Sequence, residues 1–147
     1  MNNFFIKFFA TGFGVGYIPK APGTFATLSA AAIWWYLPDF ASLPLCLIFI
    51  VIAFLVAGKA EKLFAVKDDQ RIVIDEFAGY FVAVALLPKS YLILFLSIIL
   101  FRFFDIKKPF FIKSVQKYKS GFGVIADDII SGIITNLILQ ILQHLKI

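Results

Sequence analysis

The sequence holds one cysteine, one histidine and one methionine in 147 residues, and only 16% of it is charged. Each scarcity excludes something. The lone Cys46 forms no internal disulfide, and no arginine follows it at the spacing of a Cys-x5-Arg phosphatase, so that nucleophile is excluded as well. The lone His144 rules out internal His-x3-His zinc sites and any phosphatase mechanism that needs two histidines. Near the C-terminal end, His144 reads as a surface residue on a last helical turn. Residues 1–10 lack a basic head before their apolar stretch, so a cleaved signal peptide is not expected. There is no internal repeat and no low-complexity linker, and a chain of this length is expected to form one domain, 1–147.

What is abundant is apolar surface. The hydrophobic fraction is 61%, phenylalanine alone supplies 19 residues and the mean hydropathy is +0.93. Soluble domains are only about 45–50% apolar, so this is the composition of a membrane protein. The net charge is +5, and nine of the 14 lysines and arginines sit on residues 59–71 and 107–119, with Lys59, Lys62, Lys67 and Arg71 in the first and Lys107, Lys108, Lys113, Lys117 and Lys119 in the second. Basic loops beside apolar helices suit an anionic membrane face. Nucleic acid is not an expected partner of so apolar a chain.

Five helical segments can be drawn, at about residues 23–37, 43–64, 71–87, 91–104 and 124–145. Pro22 and Thr24 suit the start of the first. Residues 40–58 carry no charge, which makes the second the clearest membrane span. Ile72-Val73-Ile74 would suit a strand, but a lone strand in a bilayer leaves its backbone unsatisfied, and nothing alternates as a barrel would. The expected fold is all-α: a compact, integral-membrane bundle of about five helices. The first and fourth segments are short for a span of about 20 residues.

Four polar clusters interrupt this pattern: Lys20 to Thr24; Asp75-Glu76 with Gly79; Arg102 to Pro109, with Asp105 and Lys108; and Asp127-Asp128 with Gly132. Charge inside a membrane segment is expensive and marks a functional candidate. If the two basic stretches are cytoplasmic, as the positive-inside rule expects, tracing the segments back and forth brings all four clusters to that one face. The first segment's end, the second's start and Pro88-Lys89-Ser90 then fall on the far side.

Gathered carboxylates repel unless a cation joins them, and Mg²⁺ is the usual cation of phosphate sites. Asp75, Glu76, Asp105, Asp127 and Asp128 are therefore candidate metal ligands. The alternative is that they favour the positive N-terminal ends of their helices, with Asp127 and Asp128 in the first turn of the last segment. Asp75 and Gly79 share a helix face, as do Asp128 and Gly132, so the two helices present matching faces and can pack as partners. Arg102, Asp105 and Lys108 are spaced by three and point one way. They form either an internal ion pair, or Asp105 goes to the metal and leaves Arg102 and Lys108, with Lys20 and the helix start at Thr24, for phosphate oxygens. Gly12-x-Gly14-x-Gly16 reads as a flexible turn rather than a phosphate loop.

Ala21-Pro22-Gly23-Thr24 with Leu28-Ser29-Ala30, the stretch from Ile72 to Gly79, the stretch from Phe101 to Pro109, and that from Gly121 to Gly132 occur in one order over nearly the whole chain. In these motifs the sequence resembles bacterial phosphatidylglycerophosphatase A. The resemblance implies an all-α fold in the bacterial inner membrane, with its site at the cytoplasmic face, and Mg²⁺-dependent hydrolysis of the terminal phosphate of phosphatidylglycerophosphate to phosphatidylglycerol. Asp75, Glu76, Asp105, Asp127 and Asp128 would supply Mg²⁺ ligands and one general base, while Arg102 and Lys108 neutralise the phosphate. Attack by water and a phospho-aspartate route both stay open. Ile74 and Lys107 stand where the family often has tryptophan, and Lys20 is not securely a family position. A rival reading is a small transport or channel subunit, which would spread its charges through the bilayer depth. A CDP-alcohol-type transferase lacks its Asp-Gly-Ala-Arg-Gly-Asp-Asp signature here.

Overall fold

The computed structural model describes residues 2–66, 69–108 and 122–145, and these form helices and turns without a strand. Lys67, Phe110, Phe111, Lys113, Lys117, Lys119 and Gly121 lie outside the described residues. Among the described residues are six α-helices: α1 (Asn3–Ala10), α2 (Pro22–Tyr36), α3 (Ser42–Phe64), α4 (Ile74–Ala83), α5 (Tyr91–Lys107) and α6 (Phe122–His144). Five follow the sequence pattern. The addition is α1, eight residues rich in phenylalanine.

The boundaries have local causes. Pro22 supplies the fixed φ that suits a first helical turn and starts α2. Ser90 caps α5, its hydroxyl accepting from the Ile93 N–H at 3.2 Å. α4 is shorter than the expected 71–87. Its N-terminal side is held extended, because the Val73 N–H donates to the Ala10 carbonyl at 2.9 Å. Its C-terminal side breaks where Leu86 takes a φ of 61° two residues before Pro88. α6 starts at Phe122, so Asp127 and Asp128 lie beyond its first turn, contrary to expectation. The pull of a helix N-terminus falls off within that turn and does not account for them.

α4 is the axis of the bundle. It packs on α6, α3, α2 and α5, and all its residues except Glu76 and Val82 are buried. Two glycines let α4 and α6 touch along their backbones: a Cβ on Gly79 would lie 2.7 Å from the Asp128 carbonyl oxygen, and one on Gly132 would run into the Gly79 carbonyl oxygen. The matching faces expected from the Asp75/Gly79 and Asp128/Gly132 spacing do pair. Asn136 of α6 donates to the Ala83 and Ala85 carbonyls at 3.0 and 2.8 Å, satisfying the end of α4 inside the bundle, where no neighbouring turn can. The Gly12–Gly16 turn is packed rather than flexible, since a Cβ on Gly16 would overlap the Arg71 carbonyl.

Residues Asp39–Phe64 and Ile125–His144 are long and apolar enough to cross a membrane, with mean hydropathies of 2.8 and 1.6. α3 turns Leu47, Ile48, Val51, Phe54 and Leu55 outward, which suits lipid rather than water. α2 and α5, at 15 and 17 residues, reach only about 22–26 Å against a hydrocarbon core of about 30 Å. The α2–α3 and α4–α5 connections meet at one end: Lys89 lies 3.2 Å from Asp39 and donates to the Leu37 carbonyl. That contact places Pro88-Lys89-Ser90 beside the end of α2 and the start of α3, as the traced topology requires.

Candidate active site

The opposite end of the bundle gathers charge. α4 brings Asp75 and Glu76 in its first turn, and α6 brings Asp127 and Asp128. One carboxylate oxygen from each of Asp75, Glu76 and Asp128 lies within 4.8 Å of the others. The glycine crossing makes this possible, because it holds the Asp128 backbone against Gly79, one turn from Asp75. Asp105, from α5, is a close electrostatic neighbour of Asp128, and its carboxylate accepts from Arg102 Nη1 at 2.5 Å. Lys108, held at a φ of 40° at the end of α5, pairs with Asp127. Asp127 also accepts from the Asp128 N–H at 3.0 Å. So Arg102, Asp105 and Lys108 do converge, but Lys108 turns to Asp127 rather than Asp105, and Asp127 stands outside the trio.

The first cluster enters by its backbone. The start of α2 abuts Glu76 and Arg102: a Cβ on Gly23 would overlap Glu76 Oε1 and lie 3.2 Å from Arg102 Nη1. No side chain caps α2, which Ala21 precedes in a left-handed conformation at φ 51°; Pro22 lacks an N–H, and the Thr24 and Phe25 N–H groups donate to the Ala21 carbonyl at 3.0 and 3.3 Å. Thr24 is half-buried in that first turn, whereas Lys20 is exposed and makes no ion pair among the described residues. Gly23 is the contact that side-chain reasoning passes over. Its only sequence signal is the Pro-Gly-Thr helix start, where glycine alone admits so close an approach.

Among the described residues, three buried side-chain atoms have no hydrogen-bond partner: Glu76 Oε2, Asp128 Oδ2 and Arg102 Nε. All three lie here. Two orphaned acceptors and one orphaned donor, each costly to bury, match a bound cation beside a bound anion. The donor set is all oxygen, which suits a hard cation, and a spread of 4.8 Å suits Mg²⁺ that keeps some of its waters. The residues present thus fit a magnesium ion.

The charges of α4, α5 and α6 gather at one end rather than along the bilayer depth, unlike the ladder an ion path requires. The comparisons with known proteins agree with this geometry. The chain is 33% identical over 141 residues to a Bacteroides thetaiotaomicron protein named "Putative phosphatidylinositol-3-phosphatase", covering 89% of each. It is 34% identical over 145 residues to the phosphatidylglycerophosphatase A of Haemophilus influenzae, covering 95% of this chain and 89% of that one. To the Escherichia coli protein of the same name it is 33% identical over 141 residues, covering 92% and 81%. No solved structure matches. The family described as "Phosphatidylglycerophosphatase A" matches residues 8–143, and the chain belongs to that family.

Proposed function

We propose that the protein is a Mg²⁺-dependent phosphatidylglycerophosphatase of the bacterial inner membrane. It removes the terminal phosphate of phosphatidylglycerophosphate at the cytoplasmic face, giving phosphatidylglycerol and inorganic phosphate. The observation that carries this reading is the set of three orphaned atoms, Glu76 Oε2, Asp128 Oδ2 and Arg102 Nε, in one buried cluster. Family membership gives the cluster its reaction class.

Asp75, Glu76 and Asp128 would hold the metal. Mg²⁺ there would neutralise the carboxylates and the phosphate charge and polarise a phosphate oxygen. Arg102, anchored through Nη1 to Asp105, keeps Nε for a phosphate oxygen and adds positive charge where the transition state gains negative charge. The start of α2 offers the Gly23 backbone N–H to the same phosphate, beside the Thr24 side chain. Lys108 adds charge from the other side while it holds Asp127. Asp105 orients Arg102 and is placed to take or give a proton. Lys20, exposed at the rim, meets the headgroup at most from outside.

The test is phosphate release by purified protein in mixed micelles, with and without Mg²⁺. Two substrates are compared: phosphatidylglycerophosphate and, because one relative carries that name, phosphatidylinositol 3-phosphate. Mg²⁺-dependent release from the first at the higher kcat/KM is expected. Preference for the second would replace the substrate but keep the site, and no release from either would return the transport reading to the front.

A further inference from the structure

α1 sorts its side chains into three strips. Ile6 and Ala10, four apart, are buried against the bundle. Asn3 and Lys7, also four apart, form the adjoining polar strip. Phe4, Phe5 and Phe8 form the remaining face, 66%, 50% and 40% exposed. Phe4 stacks on Phe8 with ring centroids 6.1 Å apart, and Phe13, itself 44% exposed, joins edge-on at 5.4 Å from Phe8.

The helix is tied to the same end as the acid cluster. The Ala10 carbonyl receives the Val73 N–H, one residue ahead of α4. Lys7 Nζ lies 5.4 Å from the ring centre of Phe64, the last residue of α3, and the Arg71 guanidinium, paired with Asp69, lies 4.0 Å from that ring. Lys7 thus marks with positive charge the point where the candidate span Asp39–Phe64 ends. Eight residues reach only about 12 Å and cannot cross a membrane. A helix with protein on one side, a cationic strip beside it and an aromatic face opposite meets three media at once. Those media adjoin at a bilayer surface, where amphipathic helices lie with their apolar faces sunk about 5–10 Å.

We propose that α1 lies in the plane of the membrane interface at the end of the bundle that carries the acid cluster. Phe4, Phe5, Phe8 and Phe13 then sit at the boundary between headgroups and acyl chains of an anionic leaflet, and Lys7 sits among its phosphates. Through the Ala10–Val73 bond this fixes the depth of Asp75 and Glu76 relative to lipid phosphates. The inference rests on the membrane-spanning reading of α3 and is independent of which lipid is hydrolysed.

The experiment is nitroxide depth measurement on full-length protein with Cys46 replaced by alanine, in phosphatidylethanolamine–phosphatidylglycerol vesicles. Single labels are placed at Asn3→Cys, Phe4→Cys, Phe8→Cys and, on the outer face of α3, Val51→Cys. Collision rates with oxygen and with a water-soluble nickel chelate give depth. Labels at residues 4 and 8 are expected about 5–10 Å below the phosphates, with residue 3 open to the chelate and residue 51 much deeper. Labels at 4 and 8 as deep as residue 51, as wet as residue 3, or shielded from both reagents by a second copy would each overturn the proposal. A residue 51 label in water would overturn the spanning reading itself, and so is distinguished from a misplaced α1.

Discussion

The two ends of the bundle handle charge in opposite ways. At the end where α2 meets α3, Lys89 pairs with Asp39, whose side chain is 87% exposed, and donates to the Leu37 carbonyl. Around it lie Trp34, buried with its ring 5.9 Å from the Lys89 ammonium, and Trp35 against the exposed Tyr91 at 4.9 Å, the second pair being the aromatic dressing usual where a bundle meets headgroups. At the other end Asp75, Glu76, Arg102, Asp105, Lys108, Asp127 and Asp128 converge, all four aspartates are buried, and three buried atoms have no partner among the described residues. An exposed ion pair costs little and contributes little. Buried, incompletely paired charge costs several kcal/mol per ion and persists where it does something. The difference between the ends therefore marks the buried cluster, rather than the Lys89–Asp39 contact, as the candidate site without reference to any relative.

Substitutions can break or sharpen that contrast. The largest effect is expected from Asp128→Asn, which removes one of the three converging carboxylates. Phosphate release should fall about 10³-fold or more, while membrane insertion and helical circular dichroism stay normal. Arg102→Lys should follow, with about a 10²-fold loss in kcat/KM, because an ammonium cannot hold Asp105 and reach a phosphate with a second fixed donor. Gly132→Ala attacks the crossing rather than the charges. Its Cβ meets the Gly79 carbonyl oxygen and Val82, and thermal unfolding should show a cost of about 1–3 kcal/mol. Asp39→Asn, at the far end, should change stability by less than about 1 kcal/mol and leave turnover unaltered. Turnover lost in Asp39→Asn as in Asp128→Asn would erase the distinction between the ends.

Much of this organisation is legible in the residues themselves. The uncharged run from Phe40 to Gly58 announces α3, and the acid-then-glycine spacing on α4 and α6 announces their crossing, because both signals are local and periodic. α1 is not announced: eight residues give too few turns for a period to show, and phenylalanine at so many of them hides which face is inward. The short α4 is not announced either, since its start is set by a bond to Ala10 and the carbonyls at its end are satisfied by Asn136, partners remote in sequence. In the site, residue types reveal which groups carry charge but not who pairs with whom. Lys108 goes to Asp127 rather than Asp105 because the end of α5 twists at Lys108 into a left-handed conformation. Asp127 and Asp128 are adjacent on a helix and so face different neighbours, one a lysine and the other the trio. Gly23 escapes side-chain reasoning because what it contributes is the absence of a side chain.

The most direct test of the account is cation binding itself, read by electron paramagnetic resonance with Mn²⁺ as the paramagnetic stand-in for Mg²⁺. Wild type and Asp39→Asn in detergent should each bind Mn²⁺ that Mg²⁺ displaces, and Asp128→Asn should lose that bound ion. Equal binding by all three proteins, or none by the wild type, would contradict the claim that Asp75, Glu76 and Asp128 form a metal site.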